Sequence, residues 1–148
     1  MRSAAHPHRH FGMDARGHPA IIDTLGNADT HLVLRGGHDG PNYDAQSIAR
    51  ARQSLAKAGL AARIVVDCSH ANSGKDPARQ PAVFDDVLAQ RLAGDQSVVG
   101  MMLEGHLYDG CQALGKGDLA YGVSITDGCL GWESSERLLQ RCAMRLRQ

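Results

Sequence analysis

Three short apolar runs, separated by segments long enough for a helix, constrain the fold of this 148-residue chain more than any other feature. The runs lie at 31–35, 63–67 and 98–104, and polar or glycine-rich residues follow each of them. Short apolar runs bounded in this way are typical of buried strands in parallel sheets. Strands that alternate with helices favour parallel pairing through right-handed crossovers, so the sequence predicts an α/β fold.

Helical periodicity after the runs supports this alternation. Apolar residues first recur at three- and four-residue steps, at Ile48, Ala51, Leu55 and Ala58. Asn42 or Asp44 is expected to cap this helix, and Gly59 is expected to end it. A second helix is predicted around 84–92 and a last one from about 134 to 147. The expected packing residues of the last helix are Leu138, Leu139, Cys142, Met144 and Leu146.

Two segments fall outside the alternation of strands and helices. Residues 10–14 and 20–24 are expected to form a hairpin across the turn at 15–18. Residues 108–123 are rich in glycine and predict a long loop.

Composition is that of an ordinary globular protein. Hydrophobic residues make up 43% of the chain, which is enough for a sizeable core, and Lys+Arg balances Asp+Glu at 16 each. A net charge of zero gives no support for a nucleic-acid or membrane-surface partner. No apolar run approaches the ~18 residues of a membrane span, and the N-terminus lacks the apolar core of a secretion signal. We therefore expect a cytoplasmic location.

The chain has four cysteines at wide, irregular spacings: Cys68, Cys111, Cys129 and Cys142. These spacings do not predict a disulfide framework, and we expect small buried residues in a reducing compartment. Because only 4% of residues are aromatic, Tyr121 and Trp132 are interpreted as packing residues and not as part of a nucleic-acid platform.

Polar side chains stand where the predicted strands end. In order along the chain they are Arg35, Asp67, His70 and Glu104, and Asp127 follows in a later turn. Ligands of parallel α/β folds bind outside the carboxyl ends of the strands, where His70, Glu104 and Asp127 can converge. An imidazole with two carboxylates suits Mn²⁺, Fe²⁺, Co²⁺ or Zn²⁺. The alternative is that each of the three is satisfied locally.

Two cationic side chains can bind an anion near these strand ends. Arg35 offers paired donors, and Gly36 and Gly37 beside it would let backbone N–H groups approach a phosphate. A solvated arginine next to a tight turn is the alternative. Lys75 either binds an anion as a point charge or is a solvated loop residue.

Asp67 and Cys68 both lie close enough to His70 in sequence to act with it. Asp67 can orient the imidazole of a metal-bound histidine. Cys68 permits a second interpretation, a Cys/His nucleophile, because alternate side chains of an extended segment share a face. No partner that would orient such a nucleophile is evident in the sequence.

Five stretches in order closely resemble one known family. They are GN at 26–27 with HLVLRGG at 31–37, PNY at 41–43, DCSHANS at 67–73, GMMLE at 100–104, and YGVSITD at 121–127 with GWE at 131–133. Each stretch alone is modest evidence, whereas all five in register are highly specific. Together they are similar to the type I 3-deoxy-D-arabino-heptulosonate 7-phosphate (DAHP) synthase family over essentially the whole chain.

This resemblance implies a (β/α)₈ barrel and a transferase that condenses phosphoenolpyruvate with erythrose 4-phosphate. That reaction is the first step of the shikimate pathway to aromatic amino acids. The resemblance also implies a divalent metal, with His70, Glu104 and Asp127 matching three of the four family ligands. Arg35 matches an arginine that contacts the phosphate of phosphoenolpyruvate. On this basis His70 and Arg35 are expected to be catalytic, and Arg35, Lys75 and Asp127 are expected to bind substrate.

The chain departs from the family in length. A full barrel needs roughly 200 residues or more, so 1–148 is interpreted as a partial barrel domain. Residues 1–30 would form an initial segment and the hairpin insertion, and 31–148 would form the last three βα units. The resemblance puts the fourth metal ligand, a cysteine, and further substrate-binding cations in the family's other half. A non-catalytic fragment or pseudoenzyme that binds metal, phosphate or a partner is the rival hypothesis. Either hypothesis needs the missing half or self-association.

Overall fold

The computed structural model describes residues 1–115 and 117–147 as a mixed α/β chain. In chain order the elements are α1 (Arg2–Ala5), β1 (His8–Met13), β2 (Pro19–Thr24), β3 (Leu32–Leu34), α2 (Ala45–Lys57), β4 (Ile64–Asp67), α3 (His70–Ser73), α4 (Gln80–Leu92), β5 (Val98–Met102) and α5 (Trp132–Leu146). A 3₁₀ turn at Pro77–Arg79 precedes α4. The α/β fold class predicted from the sequence is confirmed.

The strands β3, β4 and β5 form one parallel sheet with β4 in the middle. Leu34 pairs with Val66, and Asp67 pairs with Met102, so the carboxyl ends of the three strands meet at one edge. Val66 and Ile64 are fully buried in the central strand. Their burial explains why these two positions are apolar, because their side chains lie in the core that the helices cover.

One core packs α2, α4 and α5 against the sheet. Its buried side chains are Ile48 and Leu55 of α2, Val83, Phe84, Val87 and Leu88 of α4, Leu138 of α5, Ile64, Val66 and Val98 of the strands, and Cys68 and Leu130. In α2 and α4 the buried residues include pairs spaced three, four or seven apart, which places them on a single helical face. The periodicity that predicted α2 and α4 is the periodicity of this core.

Asp44 is the N-cap of α2. One carboxylate oxygen accepts a hydrogen bond from the Ser47 backbone N–H at 2.9 Å, and the other accepts one from the Ser47 hydroxyl at 2.6 Å. The hydroxyl bond is the largest of the causes that lower the pKa of Asp44. Asn42, the other predicted cap, instead accepts the N–H of Gly36. Gly59 follows the helix with a φ of +69°, as expected for a residue that ends a helix.

The predicted hairpin is formed by β1 and β2, which pair in antiparallel fashion with Phe11 opposite Ile21. It begins at His8, two residues earlier than expected. Between β5 and α5, the long predicted loop is held by isolated bridges that join Gly105 to Leu130 and Gly110 to Cys129. These bridges return the loop toward the sheet and set the position of residues 124–129.

Several predicted packing residues are exposed. In α5, which begins at Trp132 and not at 134, the side chains of Leu139, Met144 and Leu146 face solvent, and only Leu138 is fully buried. The reason is that α5, a helix of 15 residues, contacts the core through a narrow strip of its surface. Its other apolar side chains are left exposed to solvent. Trp132 is 63% exposed, so its interpretation as a packing residue is wrong within this chain.

Two further expectations about burial also fail. Tyr121, interpreted as a packing residue, is 84% exposed because it lies in the loop before α5. Cys68 and Cys129 are buried as expected, but Cys111 is exposed, also in that loop. Within the described residues, no helix combines the length and the apolar character that crossing a bilayer requires.

The exposed face and edges of the sheet predict self-association of the isolated chain. In the described residues neither β3 nor β5 has a strand on its outer side, and Val33 of β3 is partly exposed. Open edges and uncovered apolar surface favour pairing with another chain. We expect sedimentation velocity to detect oligomers that Val33→Lys shifts toward monomer, because a charge then blocks the edge strand.

The matched control for this experiment is Ile21→Lys, which places the same charge on an exposed apolar residue of the hairpin. Its sedimentation should equal that of the unchanged chain. A monodisperse monomer for the unchanged chain, or equal effects of both substitutions, would contradict a sheet-mediated association.

Candidate metal centre

His70, Glu104 and Asp127 come together at the carboxyl edge of the sheet. His70 is the first residue of α3, just after β4, and Glu104 lies two residues after the end of the neighbouring strand β5. Asp127 reaches the same place from the loop before α5. One nitrogen or oxygen atom from each of the three side chains lies within 4.8 Å of the other two. The predicted convergence of these residues is therefore present in the fold.

The imidazole of His70 is the centre of this cluster. Its Nδ1 lies 2.7 Å from Asp67 Oδ2, and its Nε2 lies 3.5 Å from Glu104 Oε1 and 3.9 Å from Asp127 Oδ2. The first distance is a short hydrogen bond, whereas the other two exceed normal hydrogen-bond lengths. Tetrahedral Zn²⁺ with bonds of about 2.1 Å separates its ligand atoms by about 3.4 Å. The spacing around Nε2 is thus close to that of a coordination shell.

Asp67 fixes which imidazole nitrogen faces the carboxylates. Its side chain is 5% exposed, and its second oxygen accepts the backbone N–H of Ser69 at 2.8 Å. An ionised carboxylate can only accept, so His70 donates from Nδ1 and its Nε2 is left to bind a cation. The expectation that Asp67 orients His70 agrees with this contact.

Glu104 is held by its backbone as well as by its side chain. The fully buried Gln80 donates from Nε2 to the Glu104 carbonyl at 3.1 Å and accepts the Glu104 N–H at 2.9 Å. The Ser69 hydroxyl donates to Glu104 Oε2 at 3.2 Å, which leaves Oε1 facing His70. Gln80 was not predicted, because a glutamine in the first turn of a helix carries no sequence signal of this role.

Asn72 ties the ends of two strands together. Its amide nitrogen donates to the carbonyls of Leu34 and Asp67, at 3.1 and 2.8 Å, and its oxygen accepts the N–H of Asn42 at 2.8 Å. All of its hydrogen-bonding groups are used although it is buried. Asn72 therefore fixes the spacing of β3 and β4 at the edge that carries the site.

The expected backbone cradle for a phosphate at Gly36 and Gly37 is wrong. The Gly36 N–H donates to the side chain of Asn42, and the Gly37 N–H donates to the Gly40 carbonyl. Neither amide is free to bind an anion. Gly36 is needed for another reason: its φ is +76°, and a Cβ there would lie 2.7 Å from the Cβ of Ala71.

The two predicted cationic residues occupy different places. Lys75 lies next to the cluster and lines a small recess with Ser69, His70, Asp127 and Gly128. Both Lys75 and His70 have positive φ values, +63° and +47°, which is uncommon for residues with a side chain. The turn between them is closed by a hydrogen bond of 2.7 Å from the Lys75 N–H to the His70 carbonyl.

Arg35 stands at the same edge of the sheet, one strand further away. It follows Leu34, which pairs with Val66, so Arg35 is next to Asp67 in register. Its side chain is exposed, and among residues 1–115 and 117–147 it has no ion pair or hydrogen bond to the cluster. The sequence prediction that Arg35 meets phosphate stays a prediction.

The Cys/His nucleophile is excluded by the position of Cys68. Its side chain is fully buried in the core on the helix side of the sheet, and its thiol contacts the carbonyl of Val66. Burial, with a smaller contribution from the charge of Asp67, raises the pKa of the Cys68 thiol to about 12. A thiol in this environment stays protonated and has no access to a substrate.

Three electron-pair donors converge in this cluster, and Lys75 brings a cationic side chain to the recess beside them. The donor set of one imidazole nitrogen and two carboxylate oxygens suits a divalent cation of borderline hardness. The fold and the site together define an α/β protein with a candidate metal centre at the carboxyl ends of parallel strands.

Comparison with known proteins assigns the family. The sequence profile described as the DAHP synthetase I family matches residues 1–140. The chain therefore belongs to the DAHP synthetase I family. It is 43% identical over 142 residues to a Tyr-sensitive phospho-2-dehydro-3-deoxyheptonate aldolase of Enterobacter agglomerans. It is 44% identical over 144 residues to the Phe-sensitive enzyme of that name from Escherichia coli K12.

These matches cover nearly all of this chain but only part of its relatives. They span 95% of the chain and 66% of the Enterobacter relative, and 97% of the chain and 41% of the Escherichia coli relative. The structure of the phospho-2-dehydro-3-deoxyheptonate aldolase from Francisella tularensis SCHU S4 superposes with a TM-score of 0.91 at 34% identity. That superposition covers 99% of this chain and 42% of the Francisella chain.

The buried thiol predicts a contrast between two cysteines. At neutral pH a disulfide reagent such as 5,5′-dithiobis(2-nitrobenzoate) should label the exposed Cys111 and leave Cys68 unmodified. Because the pKa of Cys68 is raised, its thiolate becomes populated only as the pH rises toward about 12. Mass spectrometry of peptides after labelling gives the result, and rapid labelling of Cys68 in the folded chain would contradict its burial.

Gln80→Leu should destabilise the chain and loosen Glu104. The substitution leaves the backbone N–H of Glu104 without its partner, whereas the Glu104 carbonyl keeps its hydrogen bond from the Leu130 N–H, so the expected cost is about 2 kcal/mol. Urea unfolding followed by circular dichroism measures this loss.

The matched control is Gln140→Leu, because Gln140 is exposed in α5 and bonds only Glu136. It should change the free energy of unfolding by less than about 0.5 kcal/mol. Equal stability of both variants would show that the hydrogen bonds from the Gln80 side chain do not hold the backbone of Glu104.

Proposed function

We propose that this chain is a functional part of a DAHP synthase and carries most of its metal centre. The proposed reaction condenses phosphoenolpyruvate with erythrose 4-phosphate to give DAHP and phosphate. The observation that carries the proposal is the approach of His70, Glu104 and Asp127 within 4.8 Å of one another in a member of the DAHP synthetase I family. A cytoplasmic location is part of this proposal.

The architecture we propose is the carboxyl-terminal part of a (β/α)₈ barrel. Three parallel strands joined through helices support it, as does the superposition with an aldolase of which the chain covers 42%. Residues 31–148 would supply three βα units, and residues 1–30 would supply an initial segment and a hairpin insertion. The open strand edges would then pair with the rest of the barrel, or with another copy of the chain.

The residues of this chain would hold and orient a divalent ion. His70 would bind it through Nε2 while Asp67 accepts the proton on Nδ1, which holds the imidazole in the required orientation. Glu104 would bind through Oε1, since the Ser69 hydroxyl occupies Oε2. Asp127 would supply the most exposed ligand. When bound, Mn²⁺, Fe²⁺, Co²⁺ or Zn²⁺ supplies Lewis-acid polarisation of a carbonyl oxygen.

The cationic side chains would neutralise the negative charges of the substrates. Lys75 lies in the recess beside His70 and Asp127, where an ammonium group neutralises a phosphate or carboxylate as a point charge. Arg35 would contact the phosphate of phosphoenolpyruvate from the next strand, through the paired donors of its guanidinium. His70, Arg35 and Lys75 would thus stand on one side of the sheet edge around the reacting groups.

The limited coverage of the relatives favours a second candidate. A chain that spans about 40% of the Escherichia coli enzymes is also consistent with a non-catalytic module that binds metal and phosphate. The two candidates share the metal centre and differ only in turnover.

Metal binding tests what the two candidates share. Calorimetric titration with Mn²⁺ or Zn²⁺ should give one site, and Glu104→Gln should weaken it by about tenfold or more, because an amide replaces an anionic ligand.

The control is Glu133→Gln, which removes an exposed carboxylate from the first turn of α5. Its affinity should equal that of the unchanged chain. Equal binding by all three proteins would refute the assignment of Glu104 as a ligand.

Turnover separates the two candidates. The chain alone should release no phosphate from phosphoenolpyruvate and erythrose 4-phosphate, because the family's fourth ligand and further substrate cations are expected outside the matched segment. Mixing it with the remaining part of the Escherichia coli Phe-sensitive relative should restore phosphate release.

The restored rate should vanish with His70→Ala. Restoration that survives this substitution, or turnover by the chain alone, would contradict the division of the site proposed above. A complex that forms without any turnover would favour the non-catalytic module.

A further inference from the structure

A second and larger cavity, of about 610 Å³, lies between the loop that follows β3 and the segment that joins β4 to α4. None of the candidate metal ligands lines it. It shares only Lys75 with the small recess beside His70. Its volume is in the range of pockets that hold small organic ligands, about 300 to 1,000 Å³. The cavity is therefore a separate place where the chain can bind a molecule.

The wall of this cavity is largely apolar. Pro41 and Tyr43 line it from the loop before α2, and Ala82 and Val83 line it from the first turn of α4. Apolar walls with a few polar groups are typical of pockets that bind organic molecules and not bare ions. Tyr43 is held in place, since its carbonyl accepts a hydrogen bond of 2.9 Å from the Gln90 side chain.

Two cationic side chains, Lys75 and Arg79, complete the lining. Both are exposed, and neither has an ion pair within the described residues 1–115 and 117–147. The guanidinium of Arg79 lies over the turn at Gly74, where a Cβ would come within 3.3 Å of its Nη1. Gly74 thus leaves room for this guanidinium at the cavity.

Among the residues that the structure describes, no carboxylate lines this cavity. Asp76 lies between the two cations in sequence, but its side chain accepts the Ala78 N–H at 3.0 Å and begins the 3₁₀ turn. The lining therefore combines two cationic side chains with apolar ones.

We propose that this cavity binds a small organic anion, with a phosphate or carboxylate head on Lys75 and Arg79 and an apolar body against Tyr43 and Ala82. The head neutralises the two cations through charge-assisted hydrogen bonds. The body removes apolar surface of ligand and wall from water. Inorganic phosphate satisfies only the first interaction, so it binds less tightly than an anion with an aromatic body.

Calorimetric titration of the chain with phenyl phosphate, benzoate and inorganic phosphate tests this proposal. Phenyl phosphate or benzoate should bind more tightly than inorganic phosphate, and whichever of the two is tighter identifies the preferred head. Arg79→Gln should weaken that binding by about tenfold, the loss of one charge-assisted hydrogen bond. Ala82→Phe, at an exposed helical position, should fill the cavity and abolish binding.

Two controls make the result specific to the cavity. Lys57→Gln removes a positive charge from the last turn of α2 and should leave binding unchanged. Glu104→Gln should also leave it unchanged, because the cavity is separate from the metal centre, so failure of the proposed function would not affect the result.

Equal binding of phenyl phosphate and inorganic phosphate, or equal losses with Arg79→Gln and Lys57→Gln, would overturn the proposal. If Ala82→Phe fails to fold, the Arg79→Gln comparison decides.

Discussion

The hydrogen bond of 2.7 Å between Asp67 and His70 is the interaction on which the candidate site depends. Asp67 is the last residue of the central strand and is almost fully buried, so its carboxylate needs partners and finds them in the Ser69 N–H and His70 Nδ1. Satisfying a buried charge costs less than leaving it unpaired. This requirement turns the imidazole so that Nε2, and no other atom of the ring, faces Glu104 and Asp127.

Buried amide side chains hold the strand ends at the spacing that the cluster needs. Asn72 bridges β3 and β4 through two carbonyls, and Gln80 pairs with both backbone groups of Glu104. Side chains of this kind are costly to bury unless every polar atom has a partner, and here they replace ladder bonds beyond the ends of the strands. The geometry of the candidate metal centre thus depends on residues that are not themselves candidate ligands.

Much of the fold could be predicted from sequence because burial imposes periodicity. The run at 63–67 and the helical spacing of Ile48 and Leu55 reflect contact with one core, and the strands and helices lie within a few residues of their predicted bounds. The convergence of His70 with Glu104 followed from the geometry of parallel strands. Asp127 was a candidate from the sequence as well, but its approach depends on bridges within the loop before α5 that the sequence pattern does not show.

The incorrect predictions share one physical cause. A sequence pattern does not show which hydrogen-bond partner or packing contact a given residue will find in the fold. The N–H groups of Gly36 and Gly37 were expected to be free, but the Asn42 side chain and the Gly40 carbonyl accept them. Trp132 and Leu139 were expected to be covered, yet both side chains are more than half exposed. The clamp by Gln80 was missed for the same reason, since its partner lies 24 residues away.

The central claim is that His70, Glu104 and Asp127 form one metal centre. Anomalous X-ray diffraction from crystals of the chain grown with Mn²⁺ tests it most directly. We expect one strong anomalous peak about 2.2 Å from His70 Nε2 and from one oxygen of each carboxylate. A peak elsewhere, or no peak while Nε2 keeps a direct hydrogen bond to a carboxylate, would contradict it.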